Sequence, residues 1–279
     1  MSLLLRDELR VVIYRDRIQV VHIEGRLTFR GWQYQIVEKK NYLCTAAEGS
    51  FSEDAIKSVE TALSDLKKPA ACAKVILSNH FMSYAMVVLD KALNSEAEEL
   101  AYAKHCFNQL YGAGAADWEL RLNRDYAATQ QLASAVDTLF LQNLRAVFAR
   151  ANVKLQSIQP YLMAAYNNCN SRLQHLDAWF VLYENGSLCI GLVIQGHWSS
   201  IRAFNVGQDW FEKLNEILDR ESLLSEVDVS SDRIFLWAPE YIKVDIPKNT
   251  RWNIQKLKPE IRASFAPEYD EQFAMAMCG

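Results

Sequence analysis

The chain has 279 residues, half of them hydrophobic and 23% charged, which supplies apolar material for one large domain or two moderate ones. Its net charge is −4. Without a basic patch in the sequence, this excludes the phosphate-neutralising footprint of a nucleic-acid binder and a polybasic segment for anionic lipid. No apolar run approaches the ~20 residues needed to span a bilayer. Met1–Glu8 (MSLLLRDE) lacks the basic start and long apolar region of a signal peptide, so the chain is expected in the cytoplasm, without direct membrane insertion.

Leu9–Tyr14 and Arg17–Ile23 are β-branched runs around Arg15-Asp16 and predict a hairpin. Arg26–Glu38 predicts a third strand, followed by a bend and an extended piece near Tyr42–Thr45. Ser52 reads as a helix cap, with Glu53 and Asp54 in the dipole-favoured first turn. Ala55, Ile56, Val59, Ala62, Leu63 and Leu66 give that helix a buried face, and Lys67-Lys68-Pro69 ends it. Ala73–Ser78 and Tyr84–Leu89 read as strands, the first apolar enough for a buried central position.

Ser95-Glu96-Ala97-Glu98 is a capping box that starts a helix running to about Tyr111, stopped by Gly112-Ala113-Gly114. Trp118–Leu122 alternates as a half-exposed strand does. A long helix is expected from about Thr129 to Ala151, a strand at Val153–Ile158 and a helix over Pro160–Asn168, with Pro160 in its first turn. Trp179–Tyr183, Leu188–Ile194 and Ser199–Phe204 predict a meander. Its Asn185-Gly186 step favours a type I′ turn. Gln208–Leu218 reads as an amphipathic helix with Trp210, Phe211, Leu214, Ile217 and Leu218 inward. Arg233–Trp237 reads as a buried strand and Asp270–Met277 as a short final helix.

The six cysteines are scattered, never as C-x-x-C, and read as buried free thiols rather than a zinc or redox site. Asn79-His80 follows a strand, where α/β ligand sites lie, and the histidine is read as a turn residue bonding backbone. Glu96, Glu98 and Glu99 read as a solvated first helical turn. Trp179, Trp198, Trp210 and Trp237 read as core residues or as an aromatic groove, and both readings stay open.

Val12–Asp16 opens the first half and Val181–Gly186 the second, each with a strand, a tight turn and a returning strand. Each half continues with another strand, a helix and a buried strand, which suggests two copies of one α/β unit. Four further stretches carry a family likeness. Ser95–Tyr111 with Trp118–Leu122 forms a helix and strand inside the first half. Arg150–Val153 through Pro160–Met163 forms a turn, strand and crossing helix. Arg202–Gly207 forms a strand end leading into a helix, and Asp270–Gly279 a closing small-residue helix. In this order the chain resembles the actin-like (ASKHA, ribonuclease H-like) proteins. Within them it is similar to the PilM-type proteins of type IV pilus assembly and the cytoplasmic part of the GspL-type proteins of type II secretion.

The resemblance implies an α/β fold of two related subdomains, each a mixed sheet with helices, and a small helix–strand insertion in the first. The first subdomain is expected over 1–160, with the insertion at about 95–123. The second is expected over 161–279, its last helix, about 268–278, returning to the first half. Residues 240–267 carry no assignment. The implied function is that of a non-catalytic scaffold in a pilus or secretion assembly machine. A peptide segment of an inner-membrane partner would hold it at the cytoplasmic face, and a motor ATPase would be a second partner. By position, Phe107, Tyr111 and Trp118 are expected to help line the groove where PilM grips a partner's N-terminal peptide.

Active members of this fold hold ATP-Mg²⁺ with two hairpin turns, usually D-x-G. Glycine lets backbone N–H groups approach phosphate, and aspartate acts through the metal or its water. Here the turns read Tyr14-Arg15-Asp16-Arg17 and Tyr183-Glu184-Asn185-Gly186. The Gly-Gly pair on the adenosine side is replaced by Ala238-Pro239-Glu240. No catalytic, cofactor-binding or metal-ligating residue is therefore expected. No Walker, Rossmann or nucleophile-elbow motif is present either. An active ATPase or kinase of the same fold is the competing expectation, and a stand-alone enzyme with an unrecognised site is a third.

Overall fold

The computed structural model describes residues 5–29, 31–44, 51–68, 70–90, 93, 95–123, 125, 130–207, 209–225, 231–241, 251–261 and 263–278. In chain order the strands and helices begin β1 (Leu5–Ile13), β2 (Arg17–Thr28), β3 (Gly31–Leu43), α1 (Phe51–Ser64), β4 (Cys72–Leu77) and β5 (Ser83–Val88). They continue α2 (Glu96–Tyr111), β6 (Trp118–Asn123), β7 (Gln130–Asp137), α3 (Thr138–Arg150), β8 (Lys154–Pro160) and α4 (Tyr161–Leu173). The second half holds β9 (Ala178–Glu184), β10 (Ser187–Ile194), β11 (His197–Asn205), α5 (Trp210–Leu224), β12 (Arg233–Trp237), β13 (Asn253–Lys256) and α6 (Ala274–Met277).

Contacts divide the chain into two compact units. One comprises 1–82, 136–168 and 259–279, and the other 83–135 and 169–258. The first holds a five-stranded sheet of order β3-β2-β1-β4-β8. Its first three strands are antiparallel neighbours, and β4 and β8 join in parallel. Leu9, Val11, Ile13, Ile18 and Val20 bury one face against Val59 of α1 and Leu144 and Phe148 of α3. α6 packs on β1 and β2, where Arg10 donates to the carbonyls of Ala276 and Cys278.

The second unit repeats the plan. Its sheet has the order β11-β10-β9-β12-β13 with the same sequence of antiparallel and parallel neighbours. Trp179, Val181, Tyr183, Ile190 and Leu192 bury Trp210, Leu214 and Leu218 of α5. Two sheets with identical order and direction are what a duplicated α/β unit produces, so the internal echo in the sequence is an echo of topology. The same unit carries the inserted three-stranded sheet β5-β7-β6. Ala103 and Phe107 of α2 close over Ala85, Val87, Leu120, Ala133 and Ala135 of that sheet.

Several expectations hold in detail. Ser95 Oγ accepts from the Glu98 N–H and α2 runs to Tyr111, where Gly112 takes φ +82° and ends it. The meander and β12 form as read, α5 runs Trp210–Leu224, past the expected end at Leu218, and Trp179, Trp198, Trp210 and Trp237 are buried. The cysteines are free, with Cys169 and Cys189 buried and the other four partly so. His80 does sit in a short turn, Asn79–Phe81, where its main-chain N–H donates to the Ser78 Oγ cap.

Others are corrected. Residues 130–137 are a strand, β7, paired antiparallel with β5 from Ser83↔Ala135 to Val88↔Gln130. A partner strand overrides the helical preference of Gln-Leu-Ala. The helix starts only at Thr138, where the Asp137 carboxylate accepts from the Phe140 N–H at 2.7 Å. β2 extends to Thr28, so Arg26 belongs to it, and β3 runs unbroken through Tyr42 because it stays paired to β2 along its length. α1 begins at Phe51, which places Ser52 inside the first turn, and it ends at Ser64, before the lysines. Pro160 closes β8 rather than opening α4. β4 is buried on alternate residues only.

At Asn185-Gly186 only the glycine has positive φ, so the turn is not type I′. Its Gly186 carbonyl is held by the Val206 N–H at 3.1 Å. The double-positive pattern instead occurs at Gln195 and Gly196, between paired Ile194 and His197, where the Asp177 carboxylate holds the Gln195 N–H. Thr45, Pro69, Thr129, Gln208 and Gly279, named in expected segment boundaries, lie outside the described residues.

Candidate functional site

The two turns that would face a nucleotide are built differently from phosphate loops. At the β1–β2 turn, the Tyr14 N–H donates to the Arg17 carbonyl at 2.9 Å. The Arg17 guanidinium lies over the Tyr14 ring at 4.2 Å and bonds Asp16 at 3.2 Å. On the other side, the buried Tyr14 ring meets Tyr161 at 5.8 Å. The Asp16 carboxylate is thus engaged by its neighbouring cation, and no glycine opens the backbone.

At the β9–β10 turn, Glu184 is buried. Tyr183 stacks on Trp210 with centroids 4.0 Å apart, and Tyr241 stands edge-on to both at 5.0 and 6.0 Å. Tyr241 belongs to the short turn after β12, the position read as the adenosine side. Burial pushes the Tyr183 phenol well above its ordinary value, and Tyr241 and Glu240 add to the rise. Burial likewise raises the Cys189 thiol, with the Glu184 carboxylate adding to it. Tyr183 and Trp210 belong with Leu214 and Leu218 to the core between the second sheet and α5, and Tyr241 packs against it. Among the described residues, no three His, Cys, Asp or Glu side chains converge as metal ligands.

The inserted sheet presents the other candidate. Phe107, Tyr111 and Trp118 do come together. Phe107 stacks on Tyr111 at 5.5 Å, Tyr111 meets Trp118 at 5.3 Å, and Phe107 meets Trp118 edge-on at 6.4 Å. They divide into two roles. Phe107 is fully buried and supports the platform from below, so it offers no surface to a partner. Tyr111 is 45% exposed and Trp118 half-buried. The Tyr111 hydroxyl donates to the Tyr84 carbonyl of β5 at 2.7 Å, which fixes the ring. Burial holds its phenol above the ordinary value, against the opposing effect of that bond.

Leu110 beside them is 65% exposed. The sequence reading did not single it out. Its signal was an apolar residue on the last turn of a helix that buries only Ala103 and Phe107. The platform is braced to the neighbouring meander. Asp125 pairs with His197 of β11 and exchanges two hydrogen bonds with the Gln131 side chain of β7, at 2.6 and 2.7 Å.

No family model matches the sequence, and no curated protein does. Solved structures match closely in shape. The PilM–PilN type IV pilus biogenesis complex aligns with a TM-score of 0.68 at 11% identity, over 96% of each chain. A Bacteroides thetaiotaomicron protein with an actin-like ATPase fold and unknown function gives 0.58 at 9% identity, over 98% of this chain and 96% of the other. The cytoplasmic domain of EpsL, an inner-membrane component of the Vibrio cholerae type II secretion system, gives 0.53 at 9% identity, over 91% and 90%. At such identities the likeness establishes the fold. The chain has an actin-like α/β fold, similar in structure to PilM–PilN and to the EpsL cytoplasmic domain.

Proposed function

We propose that the chain is a non-catalytic actin-like scaffold of a type IV pilus or type II secretion-like assembly machine. The observation that supports this reading is the build of the two hairpin turns: neither reads D-x-G, Arg17 lies over Tyr14 at the first, and Tyr183 before the second is packed against Trp210 and Tyr241. With both D-x-G patterns lost and Ala238-Pro239-Glu240 in place of the glycine pair, the frame in this reading keeps its surfaces and gives up its ligand.

The surface it offers is the platform of Leu110, Tyr111 and Trp118. Two aromatic rings and a leucine at the end of a braced helix suit the apolar side chains of an extended peptide. PilM is known in complex with PilN, and by analogy this platform would grip a peptide segment of an inner-membrane partner. That contact would hold the chain at the cytoplasmic face. Among the described residues no helix is long and apolar enough to cross a membrane. A motor ATPase is the second partner in this reading.

Calorimetry with ATP-Mg²⁺ tests the first half of the proposal. The folded protein should give no heat of binding at concentrations that reveal micromolar affinity. Binding that disappears in Asp16→Ala or Glu184→Ala would instead make the chain an active member of the fold. A photo-crosslinking residue at position 110 tests the second half. It should yield an adduct with an inner-membrane protein through that protein's cytoplasmic segment, and adducts only with soluble proteins would remove the membrane partner from the proposal.

A further inference from the structure

The second sheet ends on β12 and β13, which pair in parallel with Arg233 opposite Asn253 and Phe235 opposite Gln255. Directly opposed residues share a sheet face, and neighbours along a strand alternate. Ile234, Leu236 and Ile254 face the core with α5, so Arg233, Phe235, Asn253 and Gln255 lie together on the opposite face. Arg172, on the last turn of α4, and Leu176, just after it, wall the same place, and these residues line a cavity of about 390 Å³. That volume falls in the range of small-molecule sites. The cavity lies at the amino ends of the two strands. The turn after β12 that holds Tyr241 is at the other end, where ligands of open α/β sheets bind. The cavity is therefore separate from the nucleotide position of the fold.

Its polar lining is made of donors. Arg233 is exposed and forms no ion pair among the described residues, and the exposed Asn253 and Gln255 carboxamides make no hydrogen bond there either. No Asp or Glu among the described residues lines the cavity. The neighbouring acids are engaged elsewhere or stand apart. The Asp177 carboxylate accepts from the Gln195 N–H at 2.9 Å, Asp219 of α5 takes Arg251 at 2.7 Å, and Asp232, next to Arg233, is not part of the lining. Guanidinium and carboxamide groups present forked N–H donors that match the oxygens of a carboxylate or phosphate. Phe235 and Leu176 give the cavity an apolar base.

We propose that this cavity is a binding site for a small organic oxyanion. Arg233, with Arg172, Asn253 and Gln255, takes the carboxylate or phosphate, and the carbon body of the ligand lies on Phe235 and Leu176. A concavity that gathers guanidinium and amide donors without a lining carboxylate selects for charged oxygens. Its volume and apolar base select for an organic body over a bare ion. The site stands whether or not the scaffold reading does.

The test is a titration of the full chain with phenyl phosphate and with benzoate, up to about 10 mM, followed by backbone amide resonances. At least one of them should shift the amides of Arg233, Asn253 and Gln255 to saturation, and the one that binds more tightly tells phosphate from carboxylate. Inorganic phosphate and phenol, the two parts of the first probe, should each bind about tenfold more weakly or worse. Arg233→Gln should weaken the ring anion about tenfold. Gln255→Glu, which places a like charge in the cavity, should abolish binding. Both positions are exposed, and unchanged circular dichroism checks the fold of the variants. No saturable shift with either ring anion overturns the proposal, as does binding unchanged by Arg233→Gln. Phenol binding as tightly would make the cavity an apolar one, inorganic phosphate binding as tightly would make it a bare-ion site, and tighter saturation by an oligoglutamate peptide would make it a protein contact. Each of these overturns it equally.

Discussion

The Arg17 guanidinium caps the face of the Tyr14 ring at 4.2 Å, and this contact stands at the head of the β1–β2 turn. A partly buried cation–π pair of this kind is worth about 1 kcal/mol. Arg17→Ala should lower stability by about that amount in urea titration. It should not create ATP-Mg²⁺ binding, because the turn still lacks a glycine and Tyr14 stays wedged against Tyr161. A gain of micromolar nucleotide binding in this variant would mean that Arg17 blocks a competent site.

The aromatic platform predicts a separation of binding from folding. Trp118→Ala and Leu110→Asp should weaken capture of the membrane partner about tenfold or more. Phe107→Ala should instead destabilise the protein by about 3–5 kcal/mol, as expected for a fully buried ring. Thermal unfolding and crosslinking yield, measured on the same variants, distinguish the two effects. Equal loss of stability in all three would make the platform simply part of the core.

Arg10 ties the C-terminal segment to the first sheet. It is buried, bonds Glu8 at 2.8 Å, and donates to the carbonyls of Ala276 and Cys278. Arg10→Met should cost about 3 kcal/mol, because it leaves the Ala276 and Cys278 carbonyls without their donor and the part-buried Glu8 carboxylate with Lys74 alone. Hydrogen exchange should speed up at α6 first. Uniform exchange across the first unit would show that Arg10 acts on the sheet and not on the docking of α6.

Glu8 sets an acid limb on stability. Burial pushes its carboxyl up, but bonds from Lys74 and Arg10 outweigh this and hold it below the ordinary 4.5. Lys68 acts likewise on Glu24, and Lys40 with the Lys67 N–H on Glu38. A carboxylate whose folded value is depressed contributes stability that is full above its unfolded value and is lost as pH falls through the folded one. Unfolding free energy should therefore be flat from neutral pH to about 5 and fall below 4.5. Glu8→Gln should flatten part of that fall. An unchanged acid limb in the variant would assign it to other carboxylates.

The sequence by itself determined the elements whose signals are local. Ser95 and Glu98 announced α2 because a cap satisfies backbone donors within one turn. The alternation of Trp118–Leu122 and the β-branched runs at Leu9–Tyr14 and Arg17–Ile23 announced strands for the same local reason. It also showed that neither turn reads D-x-G, since that is a matter of residue identity.

Tertiary structure decided what depends on neighbours far along the chain. Residues 130–137 are helix-compatible until β5 supplies a partner strand. Asn185-Gly186 has the composition of a type I′ turn, yet bonds from Val206 and Asp177 shifted that geometry to Gln195-Gly196. Phe107 and Tyr111 are one helical turn apart, but only the position of the inserted sheet buries the first and exposes the second. The cavity beside Arg233 exists only once β13 is paired with β12 and the end of α4 walls it. Each of these choices costs or gains its energy through contacts between separated segments, and a linear pattern carries no record of which segments will meet.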